Sequence, residues 1–322
     1  MISKQRLSLV HSGHSHNVGS SVGPDGYIRA LVKRLRATQP LNWIVTSGIK
    51  ALLQAARKES ESIIQHVHRV GLVRSKLPNG RALKLWSRAD DWVSNQVFWR
   101  GWGGYEPETV PLFFRLASRS RVTLDVGAYV GFYSLLAAHA NRAGKVYAFE
   151  PLDDVRERLQ KNIELNELSN VQVFNNAVGA VDGAAEFFST ATNMPCSSSL
   201  SYDFMKSAEG VYGVPVSVIT LDKFVIENNI PGVDLVKIDT ESTEPDVLQG
   251  MVETLTRDQP FIICEVLGRG SESKLEEVLR PLGYNFYLLT PDGPVLRDHI
   301  AGHPAWLNYL FTPLSPDEVS KL

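Results

Sequence analysis

Apolar positions follow two different rhythms along the chain. From Arg121 onward, strand-sized apolar runs at 122–126, 146–149, 171–174, 235–238, 261–266 and 286–289 are separated mostly by helix-length amphipathic stretches, notably 154–165 and 271–279. Continuous apolar runs alternating with helical periods specify strands buried on both faces. They predict an α/β fold with a doubly wound, mostly parallel sheet and helices on both sides. The segment Trp306-Leu-Asn-Tyr-Leu-Phe311 supplies a seventh strand. No crossover helix fits between it and the turn at 291–293, so this last strand is expected to insert antiparallel.

The first third reads differently. Residues 1–26 are rich in Ser, Gly and His without periodicity, as in an irregular arm. Ile28, Leu31 and Leu35, then Ile49, Leu52 and Leu53, recur at helical spacing with an interruption near Pro40, which predicts an N-terminal helical extension. Short apolar runs around Pro78-Asn-Gly80 predict a strand pair. The expected organisation is therefore an arm and helical cap or oligomer segment over 1–72, a strand-rich lead-in over 73–120 and a catalytic domain over 121–322. Gly101-Trp-Gly-Gly104 reads as a turn, because no strand-to-helix transition surrounds it. His11, His14 and His16 lie in a carboxylate-free stretch, a weak metal signature.

Composition alters this picture little: 43% hydrophobic and 21% charged residues are ordinary for a globular protein. No apolar run reaches the length of a membrane span, the N-terminus lacks a secretory apolar stretch, and Cys196 and Cys264 do not suggest a disulfide framework. A cytoplasmic protein without a membrane span is expected. Charge is more informative. Residues 1–75 hold eleven Lys/Arg against three Asp/Glu, a net of +8, which leaves −10 for the rest of a chain whose total is −2. The basic segment is suited to a second subunit, giving a homo-oligomer, or to an anionic surface. The acidic body argues against a nucleic-acid partner.

Candidate chemistry concentrates at strand ends. The first core strand runs into Asp125-Val-Gly127-Ala128-Tyr129-Val-Gly131 and then Phe132, where a helix is expected over 132–140. Glycine permits a tight turn and close approach of a ligand, and the helix start offers free N–H groups to a carboxylate. The second strand ends in Glu150-Pro151-Leu152, nineteen residues after Gly131, where a carboxylate can accept hydrogen bonds from ribose hydroxyls. Asn176 and Ala177 follow the third strand and are candidates to face an adenine ring. Asp125 with this loop suits an amino-acid-like sulfonium ligand, S-adenosyl-L-methionine, better than a pyrophosphate. An NAD(P)-dependent oxidoreductase stays open as an alternative, although its G-x-G-x-x-G fingerprint is broken at Ala128.

The fourth strand delivers Lys237-Ile-Asp239-Thr-Glu241-Ser-Thr-Glu244, and the fifth ends at Glu265. Ligands sit at the carboxyl ends of strands in such sheets, so Asp239, which also borders the cofactor, Glu241 and Glu265 are candidate catalytic carboxylates. His299 and His303 are alternative bases, and Glu244 reads as a capping residue. With Tyr105-Glu106-Pro-Glu108, Asp125 to Gly131, Ala148-Phe-Glu-Pro151, Asn162 to Asn166, Lys237 to Glu241 and Asn308-Tyr-Leu-Phe311, residues 73–313 resemble the FkbM family of class I methyltransferases. The resemblance implies a Rossmann-like S-adenosylmethionine-dependent fold, with Tyr105 and Glu106 joining the cofactor residues. It further implies O-methylation of a small-molecule hydroxyl in natural product biosynthesis or on sugars. The hydroxyl would be activated by a side-chain base or by a divalent ion such as Mg. Two positions depart from the family: Tyr129 stands where Asn is usual and Ser242 where Gly is usual. They leave open a non-catalytic homologue that binds S-adenosylmethionine. A loop at 193–200, with Tyr202 and Phe204 behind it, is long enough to cover an acceptor.

Overall fold

A computed structural model describes residues 39–57, 59–190, 198–268 and 270–322. The His11–His16 stretch, the helical pattern at 28–35, Cys196 and most of the 193–200 loop lie outside these residues. Two compact units divide at residues 105 and 106. In the first, the helix Gln39–Ala55 has Pro40 in its opening turn, where a missing N–H is harmless. The expected strand pair is an antiparallel hairpin, β1 (Val70–Lys76) with β2 (Ala82–Arg88), pairing Val73 with Leu85. Its turn closes with the Gly80 amide donating to the Leu77 carbonyl at 2.9 Å, Gly80 being at φ +82°. A helix, Trp92–Arg100, follows and is capped by the Asp91 carboxylate, which accepts from the Ser94 amide at 2.6 Å.

The second unit is the expected α/β sheet. Its strands are β3 (Val122–Val126), β4 (Lys145–Phe149), β5 (Val171–Phe174), β9 (Leu235–Ile238), β10 (Phe261–Glu265), β11 (Asn285–Thr290), β12 (Gly293–Arg297) and β13 (Asn308–Thr312), in the order β12-β11-β13-β10-β9-β3-β4-β5. β3, β4, β5, β9 and β10 are parallel, and β13 runs antiparallel between β10 and β11, as the missing crossover required. β12 adds an eighth, edge strand through a tight turn at Gly293, φ +107°. Every residue of β3 and β9 is buried, which explains why their runs are mostly apolar, Thr123, Asp125 and Lys237 being the buried polar exceptions. Among the described residues no helix is long and apolar enough to cross a membrane.

One layer was not expected from the apolar runs. β6 (Asn176–Val178), β7 (Gly183–Thr190) and β8 (Val211–Ile219) form a separate three-stranded sheet, with Ala177, Val216 and Val218 in its own apolar cluster. The signal was present in β8, where Val214, Val216 and Val218 alternate with solvent-facing neighbours.

Candidate active site

At the end of β3 the chain turns through Gly127 to Gly131 into the helix Phe132–Ala140. Both glycines are dictated by what they touch. Gly127 sits at φ +77°, and a Cβ there would lie 1.9 Å from the Asp239 carbonyl oxygen; Gly131 sits at φ +86°, with its Cβ position 2.1 Å from Leu159 Cδ1. The turn is thus pressed between the end of β9 and the helix Asp153–Leu165. Asp125 is only 1% exposed and accepts a 2.5 Å hydrogen bond from the Ser134 hydroxyl. Burial pushes its carboxyl up to about 6, against the pull of Ser134 and Lys237. Ala128 and Phe132 are buried beside it.

Glu150 stands at the carboxyl end of β4. Its two oxygens accept the amides of Tyr129 (3.0 Å) and Leu152 (2.9 Å), so one side chain ties the glycine turn to the start of the next helix. Burial raises this carboxyl to about 7 against those two donors. Each oxygen keeps a second lone-pair direction for a further donor. Pro151 offers its carbonyl to Arg156 at 3.3 Å.

Three carboxylates converge: Asp239 and Glu265 from the ends of β9 and β10 are joined by Glu106 and not by Glu241. Oxygens of Glu106, Asp239 and Glu265 all lie within 4.8 Å of one another. Glu106 comes from the segment ahead of the helix Val110–Ala117, adopts φ +45°, and receives the Tyr133 hydroxyl. Fully buried Lys237 serves the cluster: its ammonium is 3.5 Å from Asp239 Oδ2, 3.3 Å from Asn308 Oδ1 on β13, and 5.1 Å above the Tyr133 ring. Burial alone would lower its pKa, but the facing carboxylates of Asp239, Glu106 and Glu265 outweigh burial and hold it above the ordinary lysine value. Tyr133 and Ser134, which reading the sequence passed over, were marked by being an adjacent polar pair in the first turn of a helix whose only other polar residue is His139.

Other candidates sit elsewhere. Glu241 is buried in the turn after β9 at φ +54°, outside the carboxylate trio. Glu244 braces that turn, accepting the amides of Thr240 (3.2 Å) and Ser242 (3.0 Å), and its buried carboxyl rises to about 7. His299 is largely exposed and faces Glu276 at 3.2 Å on the helix Glu272–Leu279, while His303 stacks on Trp306 with ring centroids 4.4 Å apart. The structure does not bring either histidine into the carboxylate trio. Asn176 opens β6 and Ala177 packs into the small sheet's own core, because residues 176–178 pair with β8 instead of forming a loop. Tyr105 belongs to the first unit.

Both departures from the resembled family fall at left-handed backbone positions, Tyr129 at φ +51° and Ser242 at φ +88°. Asn and Gly adopt this region with little or no steric penalty, whereas Tyr and Ser strain there. The Ser242 hydroxyl is also buried with no hydrogen-bond partner among the described residues. Ser242→Gly is therefore expected to stabilise the protein by about 1 kcal/mol, strain relief and removal of the hydroxyl exceeding the entropic penalty of glycine. An unchanged or lower urea midpoint would contradict this.

A family model described as the methyltransferase FkbM domain matches residues 125–288, about half of the chain, from the glycine turn through β11. Methyltransferase 1 of Beauveria bassiana is 28% identical over 142 residues, 40% of this chain and 57% of that protein. Hexuronic acid methyltransferase AglP of Haloferax volcanii is 26% identical over 161 residues, 50% of this chain and 62% of that protein. The chain spans less than two thirds of the length of each of these relatives. Among solved structures, a methyltransferase FkbM from Methylobacillus flagellatus KT aligns with a TM-score of 0.42 and 16% identity, over 60% of this chain and 43% of that one. The glycine turn, the Glu150 strand end and the Asp239 turn all lie within the matched span, and the chain belongs to the FkbM methyltransferase family.

Proposed function

We propose that the protein transfers the methyl group of S-adenosyl-L-methionine to a hydroxyl oxygen of a small molecule, a sugar or another natural product. The observation that carries this reading is the convergence of Glu106, Asp239 and Glu265 within 4.8 Å, beside a turn whose Gly127 abuts the Asp239 carbonyl. The residues present fit the cofactor. Glu150 has acceptor capacity left for ribose hydroxyls, and since the amides of Gly127, Ala128, Tyr129 and Gly131 already donate to Phe149, Glu150 and Ala128, an amino-acid carboxylate would be held by the amides at the start of the helix Phe132–Ala140. When bound, it supplies a sulfonium methyl open to in-line attack. An attacking alcohol must then lose its proton, and Asp239 is the residue to which we assign its uptake while the acceptor oxygen bonds the methyl carbon and the carbon–sulfur bond breaks, leaving S-adenosylhomocysteine. Asp239 is favoured over Glu265 because its side chain is 17% exposed while Glu265 is fully buried. Membership in a methyltransferase family favours this reading over a nicotinamide-dependent one.

The same trio could hold a divalent cation such as Mg2+. Lys237, 3.5 Å from Asp239, already supplies the positive charge that an ion would bring, so a side-chain base is the preferred reading. Labelled methyl transfer that persists in EDTA would support it. The hexuronic acid activity named for the Haloferax volcanii relative makes sugar acids the first acceptors to screen.

Calorimetry with S-adenosylhomocysteine tests the cofactor assignment. Glu150 has a folded-state pKa of about 7, above its ordinary value, so its ionised, ribose-accepting form appears only as pH rises through about 7. Affinity should therefore increase across that interval and level off above it. The protonated form is the one favoured by folding, so Glu150's contribution to the stability of the ligand-free protein is full below its ordinary value of 4.5 and is lost as pH rises from there to about 7. Glu150→Ala should abolish binding and its pH dependence. Unchanged affinity in that variant would sink the assignment.

A further inference from the structure

The first unit buries a charge that methyl transfer does not use. Arg69, immediately ahead of β1, is only 4% exposed. Its backbone is held on both sides by Asn42 of the helix Gln39–Ala55, which donates to the His68 carbonyl at 3.0 Å and accepts the Val70 amide at 2.7 Å. The guanidinium directs Nη1 at that helix, donating to the Trp43 carbonyl (3.0 Å), the Thr46 hydroxyl (2.9 Å) and the Ser47 hydroxyl (3.1 Å). Nε is enclosed with no hydrogen-bond partner, and Nη2 donates to no group among the described residues.

Arginine is seldom buried unless a carboxylate pairs with it. Among the described residues none pairs with Arg69, and the charge facing it is a second cation. Lys50, one helical turn beyond Thr46 and half-buried, donates to the Phe98 carbonyl and stands 4.8 Å over the Phe98 ring; the Arg69 guanidinium lies 5.3 Å from the same ring. Glu59 and Glu61 pair with Arg100 instead. Burial lowers the pKa of both cations, and the facing Arg69 lowers that of Lys50 further. The free edge of Arg69 is the Nε and Nη2 pair, the two parallel N–H groups that grip two oxygens of one carboxylate or phosphate. Charge chooses between these ligands. A phosphate dianion balances Arg69 and Lys50 together, whereas a carboxylate or a nucleic-acid phosphodiester balances only one of them.

We propose that Arg69 and Lys50 form a site for a phosphate dianion, either the free ion or the monoester of a small molecule, gripped by Nε and Nη2 of Arg69 and by the Lys50 ammonium. Trp43, whose ring centroid is 5.5 Å from the guanidinium, is 56% exposed, and its rotation opens Nε to the ligand. The test is calorimetry on the full chain in phosphate-free buffer at about pH 8, where phosphate monoesters are dianionic. Inorganic phosphate and ribose 5-phosphate should bind with one-to-one stoichiometry, at least about tenfold more tightly than acetate. Tighter binding of ribose 5-phosphate assigns the site to an ester and equal binding assigns it to the free ion; either result supports the site. Lys50→Gln, at a half-buried position where folding can be verified by circular dichroism, should weaken both phosphates by at least about tenfold, the loss of one charge-assisted hydrogen bond. Arg69→Lys keeps the charge without the paired edge and should weaken them as much. Absence of phosphate binding would overturn the proposal, as would unchanged affinity in the Lys50→Gln protein or acetate binding as tight as phosphate.

Discussion

Asp239→Asn should lower methyl-transfer turnover by about 100- to 10,000-fold, the range spanned by loss of a general base. The exchange keeps size and polarity, so the turn it belongs to should survive: the Asp239 amide still donates to the Val126 carbonyl at 3.0 Å, and its carbonyl still abuts Gly127. What disappears is a proton acceptor whose negative charge is stabilised by the Lys237 ammonium 3.5 Å away. Affinity for S-adenosylhomocysteine measured on the same protein separates the two roles given to Asp239. Retained affinity with lost turnover marks a base, whereas parallel loss of both marks a cofactor contact. Retained turnover would remove Asp239 from the chemistry and leave Glu265 as the next carboxylate to change.

Lys237→Met should destabilise the protein by about 3–5 kcal/mol, the usual consequence of removing one partner from a buried ion pair. The methionine fills similar volume, so the loss is electrostatic: Asp239, Glu106 and Glu265 would face one another without a compensating cation. The pH dependence carries the proof. Carboxylates crowded in this way take up protons more readily than in the unfolded chain, which makes the native state of the variant the form that binds more protons as pH falls. The gap between wild type and variant in urea denaturation should therefore narrow toward acidic pH. A constant gap would mean that Lys237 acts through packing against Tyr133 alone. Because Lys237 also orients Asp239, the variant's pH–rate profile should shift to higher pH relative to wild type.

These expectations rest on residues that differ in how they could be found. Asp125, Glu150, Asp239 and Glu265 were legible because each follows a strand-sized apolar run, and the carboxyl end of a parallel strand is where such a sheet opens to ligands. The antiparallel β13 was legible from the absence of room for a crossover. Tyr129 and Ser242 were visible as departures, yet only their φ values of +51° and +88° explain why the family favours Asn and Gly there.

The sequence by itself determined the rhythm of the second unit and the polar residues at its strand ends, because a strand's period of two and a helix's period of 3.6 are written among neighbouring positions. Tertiary structure alone decided which of those ends meet. Glu106 joins Asp239 and Glu265 across more than a hundred residues of chain, Lys237 reaches Asn308 on the inserted strand, and His299 turns out beside Glu276 on the surface. Residues 176–178, read locally as a loop over a ligand, pair with β8 instead. Local periodicity specifies an element and its faces; register and strand order depend on hydrogen bonds and packing between distant segments, which no local window contains.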